Sequence, residues 1–378
     1  YDARETLDRP HHVLLPGLVN AHTHAAMVPS RWVDPEYVRD GTELAIAEML
    51  RGGITCFADM HLWPDVVART AAAAQMRASV GLVVSEAATS WAATADEYID
   101  RGMRLRDEYK GDPLISTHFA PHTPHSASDG TLARVRRLAD ELDLPVALHL
   151  HETAWEIAQS EQKFGLRPLA RLKALGLASP QLVAVHLTQV NAEDIDTLAD
   201  AGAGVVHCPE SNLKLGAGVC PLPGLLGRGI RVALGTDGAA SNNDLDVLGE
   251  ARTAGLVASG MTGAPGSLIA ADLLRMATLE GARILGVGEV TGSLVPGKWA
   301  DLCCIDLRAP RSWPVHDVAT AVIYAASSQQ VTDTWVAGRR LLADGRLRTV
   351  DESAVLERAE AWAARLDATA PTEDSANG

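Results

Sequence analysis

Short apolar runs alternate along most of this chain with longer stretches whose apolar positions recur every three to four residues. The runs at 14–21, 54–59, 78–84, 115–120, 145–150, 182–187, 204–208 and 232–236 are bounded by polar or turn-forming positions, which predicts buried strands. The segments 35–52, 63–76, 95–110, 128–143, 153–175, 191–202 and 221–229 carry helical periodicity, as do 243–259 and 266–286. Strands alternating with helices predict a parallel sheet, and eight such units fit a closed (β/α)8 TIM-like barrel over 13–289. A doubly wound open sheet is the second candidate. It needs fewer units, and no glycine-rich phosphate fingerprint follows the first strand.

The pattern changes at 290. Residues 292–306 read as two strands about Pro296-Gly297, and 331–345 as a hairpin turning at Gly338. The region 290–350 thus predicts part of a small β-sandwich with too few strands for a core of its own. Its partners are expected from the chain N-terminal to the barrel, of which residues 1–12 would be the remnant. An amphipathic helix follows over 352–367, with Val355, Leu356, Ala359, Trp362 and Leu366 at helical spacing. The polar tail 369–378 is expected to be disordered.

Composition narrows the class. With 378 residues, 47% of them apolar, the chain can bury a large core. A formal charge of −15 argues against nucleic acid or anionic membrane as partner. No apolar stretch approaches the roughly 18 to 20 residues that span a bilayer, and the first residues carry no signal-peptide pattern. The five cysteines, 56, 208, 220, 303 and 304, form no CxxC pair, which suits free thiols in a reducing compartment, the cytoplasm.

The chemistry gathers at the strand ends, where a barrel carries its active site. His22 and His24 close the first run, and strand alternation puts them on one face. They are either half of a zinc site or two histidines with ordinary hydrogen bonds. His122 follows the fourth run, His149 and His151 share a face of the fifth, His186 ends the sixth, His207 the seventh, and Asp237 follows the eighth. Most of the thirteen histidines lie on or beside these ends, which favours a metal site over scatter. Glu152 is either an acid beside the metal or a cap for the helix starting near Thr153. Asp237 is either a ligand that can also take a proton or a turn aspartate before Gly238. The surrounding histidines favour the ligand.

These residues carry a resemblance. PGLVNAHTH (16–24), HLHET (149–153), AVHLTQ (184–189), HCPESNLKL (207–215) and GTDGAASNNDLD (235–246) together resemble the amidohydrolase superfamily. Within it they are similar to the 5′-methylthioadenosine/S-adenosylhomocysteine deaminase group. The resemblance implies one divalent metal ion, Zn2+ before Fe2+ or Mn2+, held by His22, His24, His149 and Asp237. It implies that His186 bonds the attacking water, Glu152 shuttles protons, His122 contacts substrate, and His207, Ser211 and Asn212 shape the pocket. Trp91, in an apolar stretch, would suit a methylthio group. The fourth run ends without the lysine that bridges two metals in binuclear members, so one metal is expected.

The reaction implied is hydrolytic removal of the adenine amine from a purine nucleoside: 5′-methylthioadenosine, S-adenosylhomocysteine or adenosine. A homo-oligomer is the family habit. Members also carry strands before PGLVNAHTH and a loop-helix lid after HTH, neither matched here. No arginine lies in 85–100, where some relatives hold the homocysteine carboxylate, and His125 stands where tyrosine is common. On the same fold, an s-triazine hydrolase or a guanine or 8-oxoguanine deaminase is the alternative. A non-catalytic metal-binding barrel is disfavoured by the presence of Glu152, His186 and Asp237 together.

Overall fold

The first apolar run serves two sheets. His12–Pro16 (β1) pairs antiparallel with Leu302–Asp306, whereas Leu18–His24 (β2) opens the barrel. Gly17 is the divide: a Cβ there would fall 2.0 Å from Thr55 Oγ1, so a side chain cannot pass this crossing. The single strand expected over 14–21 is therefore two, and the small sheet reaches Pro16 rather than ending at residue 12. Periodicity could not show this, because both pieces are apolar; the Pro16-Gly17 pair between them was the available signal.

The computed structural model describes residues 6–26 and 33–368. After β2 come Ile54–Asp59 (β3), Arg77–Val83 (β4), Ile115–Ala120 (β5), Val146–Leu150 (β6), Leu182–His186 (β7), Gly204–His207 (β8) and Arg231–Leu234 (β9), each parallel to the one before. Asp237–Gly238 (β10) continues the last strand and pairs parallel with β2, which closes the barrel. β2, β3 and β4 are buried at every position, as strands with helices outside and side chains within must be. One apolar cluster is built largely of Ala and Val from successive strands, among them Ala21, Val83, Ala120, Ala147, Val183, Val206 and Ala233.

The expected helical segments are found, two of them in altered form. The segment 153–175 splits into Ala154–Phe164 and Pro168–Ala174, because Gly165 ends the first at φ 69° and Pro168 starts the second. The segment 266–286 holds a π-helical turn, Met276–Glu280, between Ala270–Arg275 and Gly281–Ile284.

The chain ends build a five-stranded antiparallel sheet in the order β1, Leu302–Asp306 (β11), Val331–Val336 (β12), Arg339–Ala343 (β13) and Arg346–Leu347 (β14). The expected N-terminal partner is thus β1, and the hairpin turns at Ala337-Gly338. The 292–306 segment gives one strand instead of two. Trp299 N–H folds back onto Val290 O at 2.9 Å, and Lys298 Nζ donates to Thr291 O at 3.0 Å, so the Pro296-Gly297 region closes on itself.

Arg77 at the start of β4 anchors this sheet to the barrel: its Nε meets Asp301 Oδ2 at 2.7 Å with both side chains buried. Helix Glu352–Asp367 packs on helix Pro35–Arg51, where Trp362 Nε1 donates to Asp40 Oδ2 at 2.9 Å. Val355 and Trp362 face inward, but Leu356 is exposed. All five cysteines are buried free thiols. Among the described residues no helix is long and apolar enough to cross a membrane. The junction at 27–32, where the lid was expected to depart, and the tail 369–378 lie outside the described residues.

Candidate active site

Three imidazoles and a carboxylate converge at the C-terminal end of the barrel. His22 and His24 come from the end of β2, His149 from β6 and Asp237 from β10, with one ligand atom of each within 4.8 Å of the others. His24 Nδ1 bonds the carbonyl of Met60, and His149 Nδ1 donates to His122 O at 2.9 Å. A carbonyl only accepts, so both rings carry hydrogen on Nδ1, and each ring in its neutral form presents a bare Nε2. The two bare Nε2 atoms face each other at 3.2 Å. Lone pairs so placed repel unless they share a cation.

His22 Nε2 is buried without a hydrogen-bond partner and lies 3.6 Å from Asp237 Oδ1, which stands 3.4 Å from His24 Nε2. Burial holds the His22 imidazole down to about 4 against the opposing pull of the Asp237 carboxylate, and burial holds His149 well below its usual range. Burial pushes the Asp237 carboxyl up, yet the neighbouring imidazoles, His22 first, outweigh it and hold it well below the usual carboxylate range. Imidazole nitrogens around a carboxylate are the donor set of a divalent metal, and these residues fit one.

Neighbours orient this set. Ser211 Oγ donates to Asp237 Oδ2 at 2.7 Å, leaving Oδ1 for the imidazole side. His186 Nδ1 donates to Asn212 Oδ1 at 2.8 Å, and its buried Nε2 lies 4.0 Å from Glu152 Oε2. Both partners sit on helix Pro209–Lys214, a short element that sequence periodicity did not reveal. His151, His186 and Asp237 all adopt left-handed backbone, at φ 53°, 78° and 60°. Non-glycine residues pay strain there, and three strand ends sharing it mark a site whose side chains are aimed by the turns.

The structure separates residues that alternation had joined. β6 ends at Leu150, and the left-handed turn at His151 carries that ring away from His149. There His151 Nε2 accepts the N–H of Leu169 at 3.0 Å, and Nδ1 faces Asp194 at 3.4 Å. Glu152 is not the helix cap: Thr153 is, accepting Glu156 N–H at 3.2 Å. Its carboxylate is thereby left at the site, 27% exposed beside the fully buried His186.

His122 stands exposed with its ring 4.8 Å from that of His149, and His207 is buried at the end of β8 with Nδ1 unpaired. Trp91 is 3% exposed; its indole N–H donates to Asp65 at 3.2 Å and its ring packs against Tyr98. Its hydrogen bond therefore goes to Asp65, not to the His/Asp cluster. His125 meets Trp155 edge-on at 5.4 Å. Sequence reasoning missed Asp59, which ends β3, accepts Ala25 N–H at 2.7 Å and is held up at about 6 by burial. Its position at a strand end was the available signal. The Met60 carbonyl had none.

The amidohydrolase family profile matches residues 13–341. A 5-methylthioadenosine/S-adenosylhomocysteine deaminase of Teredinibacter turnerae is 42% identical over 97% of this chain and 88% of its own length. The crystal structure of an adenosine deaminase from Xanthomonas campestris with bound zinc is 46% identical, with TM-score 0.93 over 96% of this chain and 87% of that one. A triazine hydrolase from Arthrobacter aurescens is 25% identical with TM-score 0.87, covering 93% of this chain and 88% of its own. With the closed barrel, the convergent histidines and a profile match over most of its length, this chain belongs to the amidohydrolase family.

Proposed function

We propose that this protein is a zinc-dependent hydrolytic deaminase that removes the adenine amine of a purine nucleoside. The observation that carries the reading is the pair of bare Nε2 atoms on His24 and His149 beside Asp237, with Glu152 and His186 adjoining. His22, His24, His149 and Asp237 would hold the ion. Zinc supplies Lewis acidity and lowers the pKa of a coordinated water to about 7. The zinc-bound relative at 46% identity supports that metal.

The chain's own residues handle the protons. Asp237 accepts a proton as water oxygen adds to the amine-bearing carbon. Glu152, partly exposed, donates one to the adjacent ring nitrogen. His186, fixed by Asn212, presents Nε2 to the water and keeps it on the attacked face. A proton returned to the exocyclic nitrogen lets ammonia leave, so water and amine become carbonyl and ammonia.

The names of the relatives point to adenosine with a substituted 5′ position. With no arginine in 85–100, a neutral 5′ end such as methylthio fits better than the homocysteine carboxylate. Free thiols at all five cysteines fit the cytoplasm. The test is ammonia release and the adenine-to-hypoxanthine absorbance shift across 5′-methylthioadenosine, adenosine and S-adenosylhomocysteine, with guanine and an s-triazine alongside. Turnover of the first two ahead of the third is expected. Turnover confined to guanine or the triazine overturns the reading.

A further inference from the structure

Behind the active site, a single buried carboxylate ties two of its walls together. Glu250, on helix Val247–Thr262, is 0% exposed. Its Oε2 accepts the backbone N–H of Glu210 at 3.1 Å, and its Oε1 accepts from Asn242 Nδ2 at 2.5 Å. The same Asn242 amide donates to Thr236 O at 2.9 Å. Glu210 immediately precedes Ser211 and Asn212, which hold Asp237 and His186. Thr236 immediately precedes Asp237 itself.

Further bonds brace both ends of this bridge. Thr253 Oγ1, one helical turn beyond Glu250, donates to Glu210 Oε1 at 2.7 Å. From β2, Asn20 grips Thr236 twice, Nδ2 to Oγ1 at 2.7 Å and Oδ1 to the backbone N–H at 3.0 Å. An acid buried this deeply is costly, and an apolar side chain would fill the space without that cost. What the carboxylate adds is two acceptors pointing at two different segments.

We propose that Glu250 is a positioning residue of the active site. Through Asn242 and Thr236 it sets the turn that presents Asp237, and through Glu210 it sets the helix start that presents Ser211 and Asn212. One side chain thus holds the metal-facing carboxylate in register with the anchor of His186. The inference rests on the reading of Asp237 as a metal ligand.

Glu250→Gln keeps the volume but turns an amide NH2 toward one of two N–H groups. Asn242→Ala breaks the same bridge while leaving the buried acid in place. Asp301→Asn, at the opposite end of the barrel, is the control for loss of a buried acid. Zinc release to a competing chelator, kcat and KM across pH, and the thermal unfolding midpoint are measured for each. Glu250→Gln and Asn242→Ala are expected to release zinc about tenfold more readily and to lose about tenfold or more in kcat. Their KM should stay within about threefold of the parent. Asp301→Asn should lower the unfolding midpoint with zinc retention unchanged.

Zinc retention and kcat at the parent level in a folded Glu250→Gln overturn the proposal. If that variant does not fold, the same result in Asn242→Ala overturns it. A parent protein that binds zinc and deaminates nothing removes the proposed activity, while the chelator measurement still decides the role of Glu250.

Discussion

His24 and His149 turn bare Nε2 atoms toward each other at 3.2 Å, each with its Nδ1 committed to a backbone carbonyl. Without a shared cation two neutral rings so placed repel, and the buried Nε2 of His22 has no hydrogen-bond partner. Stripping the metal should therefore lower the thermal unfolding midpoint, and zinc should restore it. At a free concentration a thousandfold above Kd, binding contributes about 4 kcal/mol. Scanning calorimetry of chelator-treated and reloaded protein checks this; coincident midpoints would count against a metal at this cluster.

Glu152 is the acid closest to His186 Nε2 and is only partly buried. Glu152→Gln keeps its shape and removes its proton. The zinc content should match the parent, while kcat falls by about 10²- to 10⁴-fold. Metal analysis alongside steady-state kinetics separates the two, and near-parent turnover would remove Glu152 from the proton path.

His186 owes its orientation to Asn212, whose Oδ1 accepts Nδ1–H at 2.8 Å. Asn212→Ala frees the ring. Loss of such an outer partner typically costs about 10- to 100-fold in activity, and here it should appear in kcat with zinc retained. Ser211→Ala, by contrast, takes the donor from Asp237 and should show first as weaker zinc binding in chelator competition. Indistinguishable behaviour of the two variants would argue against separate roles for these neighbours.

Glu156 is buried where it accepts the Glu152 N–H at 2.8 Å, and burial outweighs that bond, raising its carboxyl to about 7 from the ordinary 4.5. Between those values the unfolded chain has lost the proton and the native one keeps it, so stability falls as pH rises. Its contribution is complete below 4.5 and gone above about 7. Glu156→Gln should flatten this part of the profile. Urea midpoints at several pH values across the window report it; parallel profiles for parent and variant would show that Glu156 does not titrate there.

Much of this architecture was legible in local pattern. Strand and helix periodicity is a short-range property, so the eight barrel units and the helix over 352–367 could be read directly. Alternation also put His22 and His24 on one face, because both lie within β2. The same rule failed at His149 and His151, where a left-handed turn after Leu150 sends the second ring to Asp194. There the ring also accepts the N–H of Leu169, from helix Pro168–Ala174.

Gly17 shows the other limit. Pro16-Gly17 marks a break in the apolar run, but the change of sheet there is set by distant partners, Leu302–Asp306 for β1 and β3 for β2. Thr55 leaves no room for a side chain at 17. The sequence by itself determined which residue types stand at the strand ends, since each is set by its own short segment. Only the tertiary structure decided which of them meet. Barrel closure brings β10 beside β2, and the Asp237 carboxylate to the imidazoles of His22 and His24. The physical reason is that lone-pair direction, burial and hydrogen-bond partners arise between segments far apart in sequence. The bridge from Glu210 to Glu250, Asn242 and Thr236 exists only once those segments are packed.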